Sequence, residues 1–154
     1  MSSNQDLANS IADILGTKVG KCDVHHFADG EILVEIGESV RGKDVFIVQS
    51  TSNPVTENLM EVLVLADALK RASAKENYSC YSIFWICKTM IEKQKPRTTN
   101  ITSRLVADLL TVAGVNRVVT VDLHARQIQG FFDIPVDEME ALPLICKYFK
   151  NKKY

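Results

Sequence analysis

Residues Val118–Phe132 read Val-Val-Thr-Val-Asp-Leu-His-Ala-Arg-Gln-Ile-Gln-Gly-Phe-Phe, and they give the clearest indication of the architecture. The first four residues are β-branched, which is typical of a strand buried on both faces. Asp122 and His124 follow where this strand should end, on one side of the extended chain. Ligands of open α/β sheets bind beyond the carboxyl ends of strands, so the pair predicts a site for a divalent cation and a phosphate-bearing ligand. Taken alone, Asp-x-His is a weak signal, and a capping aspartate with a histidine packed beneath a loop explains it better.

The composition is that of an ordinary globular domain and excludes several classes of protein. The 154 residues are 46% hydrophobic and 24% charged, and the net charge is −1. The charge gives no basic field for nucleic acid, and no apolar run is long enough to span a membrane. Because the first residues lack the basic and apolar regions of a signal peptide, we expect a cytoplasmic protein. The four cysteines form no Cys-x-x-Cys pair, which predicts reduced thiols rather than a metal cluster.

Hydrophobic periodicity predicts strands alternating with helices. Helices are predicted over 7–15, Leu59–Ser73, Ile101–Val112 and Leu142–Phe149. Strands are predicted over Lys21–His26, Glu31–Ile36, Asp44–Gln49 and Val118–Val121. The order of strand then helix predicts an α/β fold with an open, mostly parallel sheet flanked by helices. The turn Phe27–Glu31 adds a small antiparallel hairpin near the start.

Several longer motifs occur in order along the chain. They are Phe27-Ala28-Asp29-Gly30-Glu31, Val34–Gly42, Val48-Gln49-Ser50, Asn58-Leu59-Met60-Glu61, Asp122-Leu123-His124-Ala125 and Gln127–Asp137. Together they resemble the amino-terminal domain of ribose-phosphate diphosphokinase (phosphoribosyl pyrophosphate synthetase), over Gln5–Lys75 and Ile101–Lys150. The resemblance implies that residues 1–154 form one ATP-binding, phosphoribosyltransferase-like half, and that the second domain, which binds ribose 5-phosphate, is absent.

The resemblance also implies a reaction. The β,γ-diphosphoryl group of Mg-ATP passes to the 1-hydroxyl of ribose 5-phosphate, giving phosphoribosyl pyrophosphate and AMP for nucleotide biosynthesis. Such transfer depends mainly on positioning and charge neutralisation. The family assembles as hexamers built from dimers, so a homo-oligomer is expected.

Site residues follow from the same resemblance. In the family, the positions that bind ATP match Phe27, Asp29, Gly30 and Glu31, with the aromatic ring against adenine. The catalytic residue at the ATP phosphates and magnesium matches His124. The acidic positions near a cation match Asp122, Asp133 and Asp137. A neutral imidazole can ligate Mg²⁺ whereas an imidazolium can bind only phosphate oxygens, and the sequence leaves both roles open for His124.

The stretch Asn77–Asn100 departs from the family pattern. The family has a buried strand there, followed by an Ala-Arg-Gln-Asp segment whose arginine holds ATP, whereas this chain has Lys88 as its nearest cation. One codon choice for Tyr78–Thr89, read one base later, restores the family pattern, so compensating frameshifts are one hypothesis and a divergent insert is the other. We expect Ser79 and its neighbours to fit a central strand poorly, and Trp85 to add bulk.

Three functional hypotheses remain open at this stage. The first is a diphosphokinase half-site that has little or no activity without its second domain. The second is a non-catalytic remnant or regulatory subunit that assembles with the full-length synthetase. The third is a standalone nucleotide-binding module.

Overall fold

The computed structural model describes residues 2–81, 102–123 and 125–152, which form two sheets and four helices. The helices are α1 (Gln5–Ile14), α2 (Val55–Arg71), α3 (Thr102–Ala113) and α4 (Leu142–Asn151). The strands are β1 (Cys22–His26), β2 (Ile32–Ile36), β3 (Asp44–Gln49), β4 (Glu76–Tyr81), β5 (Arg117–Val121) and β6 (Val136–Met139). β1 and β2 form an antiparallel hairpin, and β3-β4-β5-β6 form a parallel sheet in that order. The predicted α/β fold class is confirmed.

The start of α1 and the end of α3 follow local sequence signals. The Asn4 side chain accepts a hydrogen bond from the Leu7 N–H and caps α1, as its residue type favours. Gly114 follows α3 with a φ of +108°, a conformation that glycine adopts without strain. A Cβ added at Gly114 would also lie 2.8 Å from Cδ and 3.1 Å from Cβ of Lys70 on α2, so the Lys70 side chain would have to shift to make room for it.

Strand β6 and the 3-10 helix Arg126–Phe131 were not predicted. The side chains of β6 alternate between half-buried and exposed, and its sequence Val-Asp-Glu-Met lacks the continuous apolar run that marked the inner strands. β6 forms one edge of the parallel sheet, where one neighbour is enough to hold a strand. The core lies between the parallel sheet and helices α2 and α3, and its most deeply buried members include Ile47, Val62, Ala66, Leu110, Val118 and Ile128.

Strand β4 lies in the middle of the sheet although its sequence, Glu-Asn-Tyr-Ser-Cys-Tyr, is unusually polar for a central strand. Ser79 is completely buried, with an exposed fraction of 0%, and its hydroxyl has no hydrogen-bond partner among the residues that the structure describes. Burial raises the pKa of the adjacent Cys80 thiol to about 11, which keeps that thiol protonated and unreactive at neutral pH. The structure thus places an unpaired hydroxyl where the departure from the family pattern predicted a poor fit.

We expect Ser79→Ala to stabilise the protein. The change removes a hydroxyl that lost its water on folding and gained no partner in the described part of the chain, so the free energy of unfolding should rise by about 1 kcal/mol. Urea denaturation followed by circular dichroism measures it. Ser3→Ala is the matched control, because the Ser3 hydroxyl donates to Gln49 Oε1 at 2.7 Å and should cost stability when removed. A loss of stability in Ser79→Ala would contradict this interpretation of β4.

Several predictions lie outside the described residues. They concern Lys88 as the nearest cation, the bulk of Trp85 and the position of His124. No helix in the described part of the chain is long and apolar enough to cross a membrane.

Candidate functional site

The turn Phe27–Glu31 presents an aromatic ring and two carboxylates to solvent. The Phe27 N–H donates to the Glu31 carbonyl oxygen at 2.9 Å, and the Gly30 N–H donates to the Phe27 carbonyl oxygen at 2.9 Å. Asp29 Oδ1 accepts from the Glu31 N–H at 3.1 Å, and Gly30 has a φ of +90°. The turn is therefore closed by its own backbone, while the Phe27 side chain stays 52% exposed. An exposed ring on a rigid turn can stack on a planar ligand.

The hairpin places this turn beside the carboxyl edge of the parallel sheet. His26, which precedes Phe27, has Nε2 3.0 Å from Glu57 Oε1 in the first turn of α2. Helix α2 follows the carboxyl end of β3, and β3 and β5 point the same way. The turn and the residue after β5 thus lie at the same side of the sheet, where the carboxyl ends of the strands meet. Ligands bind at this side in open α/β folds.

Asp122 is the residue after β5, and its backbone is in the left-handed region with a φ of +49°. The Asp122 N–H donates to the Met139 carbonyl oxygen at 3.0 Å, and its Oδ1 accepts from the Ala141 N–H at 3.1 Å. These two bonds tie the ends of β5 and β6 together. The second carboxylate oxygen of Asp122 has no protein partner among the described residues, and the side chain is exposed. Carboxylate oxygens are the ligands that Mg²⁺ prefers, so Asp122 fits a magnesium ligand.

Asp133 and Asp137 are each paired with an arginine. Arg104 donates to both carboxylate oxygens of Asp133, at 3.2 and 2.7 Å, and Arg117 donates to Asp137 Oδ2 at 2.8 Å. Asp137 is registered with Val119, three residues before Asp122, so roughly 10 Å of strand separates the two aspartates. The structure does not bring Asp137 together with Asp122, and a cation at Asp133 or Asp137 would compete with an arginine.

The hydrogen bonds from Arg104 lower the pKa of the Asp133 carboxyl. A carboxyl whose pKa is lower in the folded state stabilises the fold above its ordinary pKa of about 3.9, and this stabilisation is lost as the pH falls through the folded value. We expect Arg104→Gln to raise the pKa of Asp133 toward its ordinary value, as measured by carbon-13 NMR of the carboxyl group. Arg71→Gln, which removes the partner of Asp67, is the control and should leave Asp133 unchanged. An unchanged pKa in Arg104→Gln would show that the pair does not form in solution.

A buried polar network lies beneath the carboxyl ends of the strands, and the sequence did not predict the contacts between its residues. Gln49, at the end of β3, donates through Nε2 to Glu61 Oε2 at 2.9 Å and to Asn58 Oδ1 at 3.3 Å. Asn58 donates to the Ser52 carbonyl oxygen at 2.8 Å, and Ser3 donates to Gln49 Oε1. The motifs Val48-Gln49-Ser50 and Asn58-Leu59-Met60-Glu61 had been noted only for their resemblance. The structure shows that they connect β3 to α2.

A second set of contacts holds the segment after β5. Glu138 accepts from the Leu123 N–H at 3.2 Å through Oε1 and from Gln129 Nε2 at 2.6 Å through Oε2, and Arg126 pairs with Glu140. Glu138 is in β6, which the sequence did not predict. Its carboxylate therefore bonds to the backbone of Leu123 and to the side chain of Gln129.

Comparison with known proteins assigns this architecture to a family. Residues 1–114 match the family model described as the N-terminal domain of ribose phosphate pyrophosphokinase. The chain belongs to that family. The resemblance stated from the motifs is therefore confirmed.

Curated relatives and a solved structure agree with this assignment. The chain is 57% identical over 153 residues to a ribose-phosphate pyrophosphokinase of Fusobacterium nucleatum, covering 99% of this chain and 48% of that protein. It is 50% identical over 154 residues to the enzyme of the same name from Bacillus caldolyticus, with the same coverage. The crystal structure of phosphoribosylpyrophosphate synthetase from Mycobacterium smegmatis has a TM-score of 0.91 at 42% identity, over 99% of this chain and 50% of that one. The chain thus spans about half the length of these ribose phosphate pyrophosphokinases.

Proposed function

We propose that this chain supplies the ATP-binding half of a ribose-phosphate diphosphokinase. The observation that carries the proposal is the common position of the Phe27–Glu31 turn and Asp122 at the carboxyl edge of the sheet, in a member of this family. The proposed reaction joins the 1-hydroxyl oxygen of ribose 5-phosphate to the β-phosphorus of ATP. The bond between the α,β-bridging oxygen and that phosphorus breaks and the hydroxyl proton is released, so that phosphoribosyl pyrophosphate forms and AMP leaves.

The residues of the turn have separate proposed roles in binding ATP. The exposed Phe27 ring stacks on adenine, a contact that every purine face allows. Asp29 and Glu31 are exposed acceptors for the adenine amino group. Gly30 provides the positive φ that lets the turn close without a side chain beneath the ligand.

Asp122 and His124 are the proposed groups for the phosphates and Mg²⁺. Asp122 has one carboxylate oxygen free of protein partners among the described residues, and Mg²⁺ at this oxygen would neutralise phosphate charge. His124 is the proposed catalytic residue, on the resemblance alone. Asp133 and Asp137 remain proposed metal ligands beside Asp122 and His124, although their arginine partners make Asp122 the stronger candidate.

Further proposals concern the setting of the enzyme. Ribose 5-phosphate would be bound mainly by a second domain outside these 154 residues. We propose a cytoplasmic homo-oligomer, a hexamer built from dimers, with no role for nucleic acid or membrane.

An alternative proposal is a non-catalytic or regulatory subunit that assembles with the full-length synthetase. It is favoured by the departure of Asn77–Asn100 from the family pattern, which removes the expected ATP-site arginine.

Titration with Mg-ATP, followed by an assay with ribose 5-phosphate, tests these proposals. The first predicts saturable Mg-ATP binding by the purified chain with little or no formation of AMP, because the ribose 5-phosphate domain is not included. A large assembly without ATP binding, seen by mass measurement, would favour the alternative. A monomer that binds no Mg-ATP would contradict both proposals.

A further inference from the structure

A histidine and two glutamates converge beside the turn, outside the proposed ATP and magnesium groups. His26 ends β1, and Glu57 and Glu61 lie four residues apart on the same face of α2. One ligand atom from each of the three side chains lies within 4.8 Å of the others, and His26 Nε2 is already 3.0 Å from Glu57 Oε1. Two atoms that bind one metal ion at about 2.1 Å lie about 3.0 to 3.5 Å apart. A small side-chain rotation would therefore bring all three ligand atoms within binding distance of one ion.

The buried member of the group gives an independent reason to expect a cation. Glu61 is only 1% exposed, and its carboxylate accepts from Ser2 Oγ at 2.6 Å, the Ser2 N–H at 3.3 Å and Gln49 Nε2 at 2.9 Å. All of these donors are neutral. No lysine or arginine among residues 2–81, 102–123 and 125–152 forms an ion pair with Glu61. Taking a carboxylate out of water is costly, and a divalent cation bound to it would offset that cost.

The surrounding structure holds this carboxylate in place for a ligand. The buried Gln49 donates to Oε2 of Glu61 and the exposed Ser2 donates to Oε1, while a carboxylate oxygen of Glu61 lies within 4.8 Å of the ligand atoms of His26 and Glu57. His26 and Glu57 are exposed, so an ion would be open to solvent on one side and could complete its coordination with water. Metal sites are commonly built in this way, with ligands oriented by a second layer of hydrogen bonds.

We propose that His26, Glu57 and Glu61 bind a first-row divalent transition metal ion, with Zn²⁺ as the best match. An imidazole nitrogen with two carboxylate oxygens suits Zn²⁺, whereas Mg²⁺ and Ca²⁺ prefer all-oxygen sites. The ion would join the end of β1 to the start of α2 and so fix the position of the Phe27–Glu31 turn. This proposal does not depend on nucleotide binding.

Titration of the 154-residue chain with Zn²⁺ in the absence of nucleotide tests the proposal. NMR of the histidine rings should show the His26 signals shifting with zinc, and His26→Ala should weaken zinc binding by at least about tenfold. Glu57→Gln, which keeps the size of the exposed side chain, should weaken it similarly. His25→Ala is the matched control, because His25 is the adjacent exposed residue and pairs with Glu35 instead.

Thermal unfolding gives a second readout. A hundredfold excess of zinc over its Kd should raise the Tm of the unmodified chain by about 5 to 10 °C, and should not raise that of His26→Ala. Zinc binding that is equally strong in His26→Ala and in the His25→Ala control would overturn the proposal, since it would place the metal at other groups such as the thiols. An absence of zinc binding would also overturn it. Either result would leave the ATP proposal untouched.

Discussion

Replacing Gln49 with alanine should destabilise the protein by about 3 to 5 kcal/mol, more than any surface change. Gln49 is buried at the end of β3, and its amide links Ser3, Asn58 and Glu61. Removing it leaves a cavity and deprives the buried Glu61 carboxylate of a donor. The free energy of unfolding from urea denaturation, followed by circular dichroism, measures the loss.

Two further variants separate the cavity from the hydrogen bonds. Gln49→Met keeps most of the volume but none of the polar contacts, so it should lose a smaller part of the stability than Gln49→Ala. Met60→Ala, a truncation at a position that is 44% exposed on the same helix as Asn58 and Glu61, should cost less than about 1 kcal/mol. If Gln49→Met were as stable as the unmodified chain, the polar network could not be what holds β3 to α2.

Replacing Phe27 with alanine should weaken Mg-ATP binding by about 5- to 150-fold, the loss expected for one stacking contact between an aromatic ring and a base. The free energy of unfolding should change by less than about 0.5 kcal/mol, because the Phe27 ring is half exposed and the turn is closed by backbone hydrogen bonds. Isothermal titration with Mg-ATP measures the affinity, and the same urea experiment measures the stability.

Phe149→Ala is the control for Phe27→Ala. Phe149 is a similarly exposed phenylalanine, 54% exposed, but it lies on α4. This variant should bind Mg-ATP as tightly as the unmodified chain. Equal affinity in Phe27→Ala and the unmodified chain would remove the turn from the proposed ATP site, whereas equal weakening in both variants would indicate a general loss of structure.

The fold was predictable wherever burial produced a regular pattern. β3 has an apolar run at its centre, β5 is rich in valine, and α3 carries an apolar stripe between clear end signals. β6 escaped prediction because an edge strand with one exposed face has a mixed sequence, and the parallel pairing with β5 that forms it is a long-range contact. β4 is the opposite case, since its polar sequence gives no strand signal and its neighbours on both sides hold it in the sheet.

The candidate site was predictable only in part, because a motif identifies residues but not the side chains that contact them in the fold. The Phe27–Glu31 turn was expected to form a hairpin turn and does so. Asp133 and Asp137 are aspartates like Asp122, but each pairs with an arginine from α3 or β5. No local sequence pattern connects those arginines to the two aspartates. The convergence of His26 with Glu57 and Glu61 likewise depends on how the hairpin packs on α2, and spacing along the chain does not show it.

The most direct test of a single ATP site at this edge is an NMR titration of the nitrogen-15-labelled chain with Mg-ATP. If the turn and the end of β5 bind one nucleotide, the amide signals of Gly30 and Glu31 and that of Leu123 should shift together and saturate at the same ligand concentration. Shifts confined to one of the two segments, or saturation at different concentrations, would contradict a shared site.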